Sequence, residues 1–206
     1  LEWLAREPVR ARFDVTADDL ETVSGWLSEA GIRWGVDASD REALGQPPWP
    51  HFTWRFGLDR LLLGYAASGD GWTRFAGVLP VEDLEGDPAL LGRLAAFAER
   101  LFEARDRVTQ PAPMAEWEAR LARLLRWFVV DDEGRSWQHQ RIRDVLAGLT
   151  EDAARAGFDA DLDLEAVRGL LNGRLDQPAS PREFLAGGIT FCALVPMRSV
   201  PFRVVA

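Results

Sequence analysis

Apolar residues recur along most of this chain at the three-and-four spacing of one helix face. Thr16 and Asp19 form a capping-box pair, and Leu20, Val23, Leu27 and Ala30 follow at helical intervals before Gly31. That pattern predicts a helix over about residues 17–30, with the glycine as its stop. Leu58, Leu61, Leu62 and Tyr65 mark a second helix over 54–67, with Arg55 and Arg60 off the stripe. Leu90, Leu94, Phe97 and Leu101 mark a third over 89–108, and Trp117, Leu121, Leu124, Leu125 and Phe128 a fourth over 114–129. The link between these two, Gln110 to Pro113, is short enough to predict an antiparallel hairpin. Ile142, Val145, Leu146 and Leu149 give a helix over 136–156; Val167, Leu170, Leu171 and Leu175 give one over 164–175. Between them lie a glycine-bracketed turn (Gly31 to Ala38) and a proline-rich extended loop (Gln46 to Pro50). A loop rich in glycine and acids runs from Ser68 to Pro88, with a short apolar patch at Phe75 to Leu79.

Near the end the period changes. Ser180, Pro181 and Glu183 read as one capped turn. After it, Ile189 to Val195 reads as a strand, Pro196 to Ser199 as a turn, and Phe202 to Val205 as a second strand. The expected fold is therefore mainly α: a helical body over residues 1–186 ending in a short β segment over 187–206. A chain that opens on Leu1 and closes inside an apolar run is expected to be an internal fragment.

Composition narrows the chemistry. Of the 206 residues 47% are hydrophobic, enough for one domain with a sizeable core or two small ones. All 24 basic residues are arginine, so no phosphate-binding lysine loop, Schiff-base lysine or two-acid-and-lysine nuclease site can be built from this chain. The net charge of −9 argues against a surface that grips nucleic acid over a broad area. A local arginine patch is compatible with it. No stretch approaches the roughly 20 apolar residues of a membrane span, and no signal-like leader opens the chain. The lone Cys192 is read in a buried strand, which suits a reducing cytoplasm.

His51 and His139 are far apart and lack acidic or cysteine neighbours at ligand spacing, so no metal is expected. The acids of Val81 to Asp87 lack the alternating spacing of a calcium loop. Arg120, Arg123 and Arg126 share a helical stripe, with Arg141 and Arg143 further on. They are either a ridge that contacts phosphate or a solvated helix face. Nine tryptophans could stack bases, but Trp26, Trp117 and Trp137 sit on or beside core stripes, where packing is the simpler role. Trp34, Trp49, Trp54 and Trp72 lie in loops or at helix starts. No catalytic constellation emerges.

Four ordered blocks resemble the gamma subunit (RecC) family of exodeoxyribonuclease V. They are DDLETVSGWLSEAGIRWGVDA (Asp18 to Ala38), HFTWRFGLDRLLLGYA (His51 to Ala66), GVLPVEDLEG (Gly77 to Gly86) and EFLAGGITFCALVPMRSVPFRVV (Glu183 to Val205). The resemblance implies the layout of a superfamily 1 helicase without a working motor. Residues 1–186 then correspond to the helical 2B insertion and 187–206 to the return into the RecA-like 2A domain. Active relatives carry there a threonine, a histidine and a lysine-glycine pair before a glutamate-phenylalanine. Here the stretch includes Pro196, Met197, Arg198, Ser199, Pro201 and Phe202, without the histidine, lysine, glycine or acid. This implies a degenerate coupling motif and no nucleotide cofactor. Arg198 is expected on a side facing DNA or a subunit, or in a structural salt bridge. The implied role is a non-catalytic scaffold in double-strand break processing and recombination, with RecB-type and RecD-type subunits as partners and DNA met through the complex. Two alternatives stay open: an accessory domain of an active helicase or helicase-nuclease, and a helical adaptor that binds proteins.

Overall fold

The computed structural model describes residues 1–67, 73–82, 84 and 86–176. It is mainly α. Eight helices occupy the described residues: α1 (Glu7–Arg12), α2 (Asp19–Glu29), α3 (Ala38–Ala43), α4 (Trp54–Ala66), α5 (Pro88–Val108), α6 (Met114–Phe128), α7 (Ser136–Arg155) and α8 (Leu164–Leu175). Among the described residues the only β pairing is two isolated bridges, Phe75 with Val78 and Ala112 with Leu162. The expected strands at 189–195 and 202–205, and Pro196, Met197, Arg198, Ser199, Pro201 and Phe202, lie outside the described residues, as does Cys192.

Each predicted helix is present; side chains cap the starts of α2, α4, α5 and α8, whereas α6 and α7 begin without a side-chain cap. The Thr16 amide donates to Asp19 Oδ2 at 2.8 Å and the Asp19 amide to Thr16 Oγ1 at 3.2 Å, the reciprocal pair the sequence implied. Thr53, Asp87 and Asp163 accept amide hydrogen bonds at the starts of α4, α5 and α8. The short α1 and α3 carry no long periodic stripe and were not expected. α3 is closed by Asp37, whose carboxylate accepts from the Asp40 amide at 2.9 Å.

Two hydrophobic clusters result. The larger joins α1, α2, α4, α5 and the end of α6, with Leu4, Val23, Leu61, Leu94 and Phe128 fully enclosed. Phe13, Phe97 and Phe128 form an aromatic group in it that the exposed Trp3 covers from outside, with Trp3 and Phe128 centroids 4.4 Å apart. The smaller joins the start of α6 to α7 and α8 through Trp117, Leu146, Leu149 and Val167. Trp117 is fully buried and donates its indole N–H to the Leu162 carbonyl at 2.8 Å. Because Phe97 meets Phe128 while Val108 packs near Trp117, α5 and α6 run antiparallel, as the short link predicted.

Several inward assignments need correction. Leu62 and Tyr65 of α4 are exposed, because that helix buries the flank of Gly57, Leu58 and Leu61 instead. Leu170 and Leu175 of α8 are exposed too; among the described residues only Val167 of its stripe is fully covered, where α8 packs mainly on α7. Trp137 is 63% exposed, at the first turn of α7 and ahead of the part that meets α6. Trp34 and Trp49 also face solvent, and Trp34 lies under the Arg41 guanidinium at 4.4 Å.

Candidate nucleic-acid interface

The arginine stripe of α6 separates into three different environments. At 100° per residue, Arg120, Arg123 and Trp127 share one flank of α6, whereas Arg126 turns further from the core. Arg120 is engaged locally: its Nε and Nη2 donate to Glu116 Oε1 at 3.1 and 2.6 Å, and Nη1 donates to the Gln110 carbonyl. Its guanidinium also lies 5.2 Å from the Trp117 ring, and its side chain is only 14% exposed. It therefore fastens the link between α5 and α6. Arg123 and Arg126 are exposed. Arg12 Nε donates to the backbone carbonyl of Arg126, which leaves the Arg126 side chain outward.

α5 adds residues that the linear pattern did not single out. Arg100, Glu103 and Arg107 stand on one stripe of α5 and face the Trp127 flank of α6. Both guanidinium groups lie over the indole, at 4.8 Å for Arg100 and 5.4 Å for Arg107. Glu103 sits between them, accepting from Arg107 at 2.8 Å and from Arg100 at 3.4 Å. The Arg107 hydrogen bond, together with the charges of Arg107, Arg100 and Arg123, holds the Glu103 carboxyl below its usual value against the opposing effect of burial. Arg107 Nε is buried with no hydrogen-bond partner. The i, i+3, i+7 spacing of these α5 residues is visible in the sequence; their meeting with Arg123 and Trp127 depends on the register of the hairpin.

The remaining candidates have structural settings. Arg143 pairs with Asp131 at 3.1 Å, and Arg141 is likewise engaged. His139 is buried with Nε2 3.1 Å from the Val130 carbonyl, and His51 lies against Phe56 with centroids 4.8 Å apart. Asp87 spends its carboxylate on the start of α5. Among the described residues no three His, Cys, Asp or Glu side chains are placed to hold a metal ion. A groove of about 730 Å³ between the end of α7 and α8 is lined mainly by apolar groups, including Leu149, Ala153, Phe158 and Leu170, with the Asp152–Arg174 pair at its rim. No described helix is long and apolar enough to cross a membrane. The arrangement with chemistry in it is thus an arginine-lined seam between α5 and α6, suited to holding an anion.

Comparison with known proteins agrees on one family. The family model described as "RecBCD enzyme subunit RecC fourth domain" matches residues 1–179. The RecBCD enzyme subunit RecC of Mycolicibacterium smegmatis is 40% identical over 200 residues, covering 96% of this chain and 18% of that protein. Its counterpart in Mycobacterium tuberculosis H37Rv is 39% identical over 201 residues, with the same coverage of both chains. That of Escherichia coli K12 is 36% identical over 197 residues, covering 95% of this chain and 17% of the relative. The chain therefore spans less than a fifth of the length of these curated relatives.

Proposed function

The chain belongs to the RecC family of RecBCD enzyme subunits, matching its fourth domain, and from that premise we propose that it is a non-catalytic structural module of such a subunit. In this reading residues 1–186 form a helical domain of the 2B type found in superfamily 1 helicases, and 187–206 begin the return into a 2A-like domain. The parent complex is an ATP-dependent helicase-nuclease of the exodeoxyribonuclease V kind, acting in the cytoplasm on broken DNA during recombination repair. Its RecB-type and RecD-type subunits are the partners, and DNA is met through the assembly. Arg123 and Arg126, exposed on α6, are candidates for contact with DNA or a neighbouring subunit. Arg120, held by Glu116, supports the frame they stand on.

The observation that carries this reading is the continuous match of one RecC domain to residues 1–179. The lack of lysine agrees with a non-motor role, because a nucleotide-binding loop of the Walker type needs that side chain. So does the composition of Pro196, Met197, Arg198, Ser199, Pro201 and Phe202, which offers none of the coupling groups of motor relatives. Two measurements test it. The parent subunit should co-purify with its RecB-type and RecD-type partners, and this chain should release no phosphate from ATP in the presence of DNA. ATP turnover by the chain alone overturns the proposal. Arg198→Ala in the complete complex should weaken unwinding or subunit association; unchanged values for both remove Arg198 from the interface.

A further inference from the structure

The groove between the end of α7 and α8 holds large apolar side chains that no described residue covers. Phe158 and Leu170 on its walls are 48% and 44% exposed. Its α8 wall is smooth as well: Gly169 and Gly173 stand one turn apart, and a Cβ at either would meet nothing within 4 Å. Packing within the described residues therefore does not require these glycines, although glycine is a poorer helix former than alanine. An apolar trough of about 730 Å³ has room for large side chains brought from outside it. The loop that supplies Phe158 and Leu162 to the wall also carries Asp159 and Asp161. Their carboxylates make no hydrogen bond or ion pair among the described residues.

We infer that the groove is filled by this chain's own continuation, with Phe184 and Leu185 as the side chains that enter it. These two are the first large apolar residues after Leu175, where α8 ends. The groove runs along α8 from Arg174 back to Ala166, so its mouth lies beside the point from which the chain continues. The eight residues from Asp176 to Phe184 span about 26 Å when extended, against about 12 Å for the α8 stretch from Ala166 to Arg174. A return along the helix is within reach. Pro178 keeps α8 from simply running on, which lets the chain turn. Charge points the same way. Residues 177–206 hold three arginines and one acid, a net charge of +2, whereas residues 1–176 hold 21 arginines and 32 acids, a net charge of −11. Arg182, two residues ahead of Phe184, brings a cation to the free carboxylates of Asp159 and Asp161. A segment tethered this closely also acts at an effective concentration on the order of millimolar, an advantage that a separate protein or a second copy lacks.

The test is cross-linking of the 206-residue chain with a short bismaleimide. Cys192→Ser removes the native thiol and Ala186→Cys places one beside the inserted pair. The second cysteine is either Ala166→Cys, in the groove, or Arg168→Cys, on the same helix and equally exposed but outside the lining. The link within one chain should form about tenfold faster with Ala166→Cys, the least that burial of two large apolar side chains should favour. Adding Phe184→Ser/Leu185→Ser should lower that rate to the level of Arg168→Cys. Neither serine replaces a residue of the two hydrophobic clusters, and circular dichroism should show the same helix content. Gly169→Phe, which fills the trough from the α8 side and leaves the segment intact, should remove the preference as well. Equal rates for the two cysteine pairs, or a preference that survives either Phe184→Ser/Leu185→Ser or Gly169→Phe, overturns the inference. Links formed mainly between chains also overturn it, assigning the groove to a second copy.

Discussion

A Cβ at Gly57 would come within 2.1 Å of Ile32 Cγ1, and one at Gly64 within 2.2 Å of the Val81 carbonyl oxygen. In an isolated helix alanine is better than glycine by about 1 kcal/mol. Here α4 has been drawn so close to the chain after α2, and to Val81, that the missing methyl group is what permits the packing. At Gly64 the obstacle is backbone, tied by the Val81 amide to the Arg60 carbonyl at 3.0 Å, so it cannot rotate aside. Gly64→Ala and Gly57→Ala are each expected to destabilise the fold by about 1–3 kcal/mol, by overpacking, despite the gain in helix propensity. Urea unfolding midpoints decide it; a stabilised variant would show that the contact can relax. This explains why α4 buries a different flank from the one its apolar residues suggested. Leu62 lies about 100° around from Leu61 and Tyr65 lies a turn beyond it, past the reach of α2. An apolar pattern registers side chains and is blind to a face built around their absence.

At the scale of the element, caps settle where helices begin. The Asp19 carboxyl is held below its usual value of 3.8, first by the hydrogen bond from the Thr16 amide and then by the Thr16 hydroxyl. A depressed folded value means that this contribution is complete above the unfolded value and disappears as pH falls through the lower folded one. Asp19→Ala should therefore cost about 1 kcal/mol near neutral pH, and its difference from the parent should shrink as the solution is taken below about pH 4. Denaturant unfolding at the two pH values reads both numbers; a gap that persists unchanged in acid would refute the carboxylate's role. In the sequence only the Thr16–Asp19 pair marked the start of a described helix; the caps of α4, α5 and α8 emerge from the structure, and these helices were legible from the spacing of their apolar residues. α1 and α3 were not, because six-residue helices gain their stability from neighbours. α1 buries only Val9 and is tied down by the Val130 amide on the Pro8 carbonyl, a partner more than a hundred residues away. The candidate site was half legible for a related reason. Arg123 could be picked from the α6 stripe, but Arg100 and Arg107 join it only once the hairpin register is known, and Arg120 leaves it because Glu116 is one turn back.

At the scale of the whole molecule, two cores share one helix. Trp117 belongs to the smaller cluster and Phe128 to the larger, and α6 is the rigid body between them. Further ties run from α1 to the stretch after α6. Arg135 pairs with Glu7, Arg12 Nε donates to the Arg126 carbonyl at 3.1 Å, and the Val130 amide donates to the Pro8 carbonyl at 3.1 Å. Losing the smaller cluster frees the first turns of α6 and strips Trp117 of its indole hydrogen bond, which in turn loosens the seat of Phe128 among Trp3, Phe13 and Phe97. The described helices should therefore unfold together. Leu146→Ala, at a fully enclosed position of the smaller cluster, is expected to cost about 2–5 kcal/mol and to lower the melting temperature by about 2–4 °C per kcal/mol. Near-ultraviolet and far-ultraviolet signals should move in one superimposed transition, and amides in α2 should lose hydrogen-exchange protection by the same free energy as those in α7. If α2 kept its full protection while α7 and α8 exchanged freely, α6 would be a hinge between two independent folding units, and the arginine seam along it would have to be held by α5 alone.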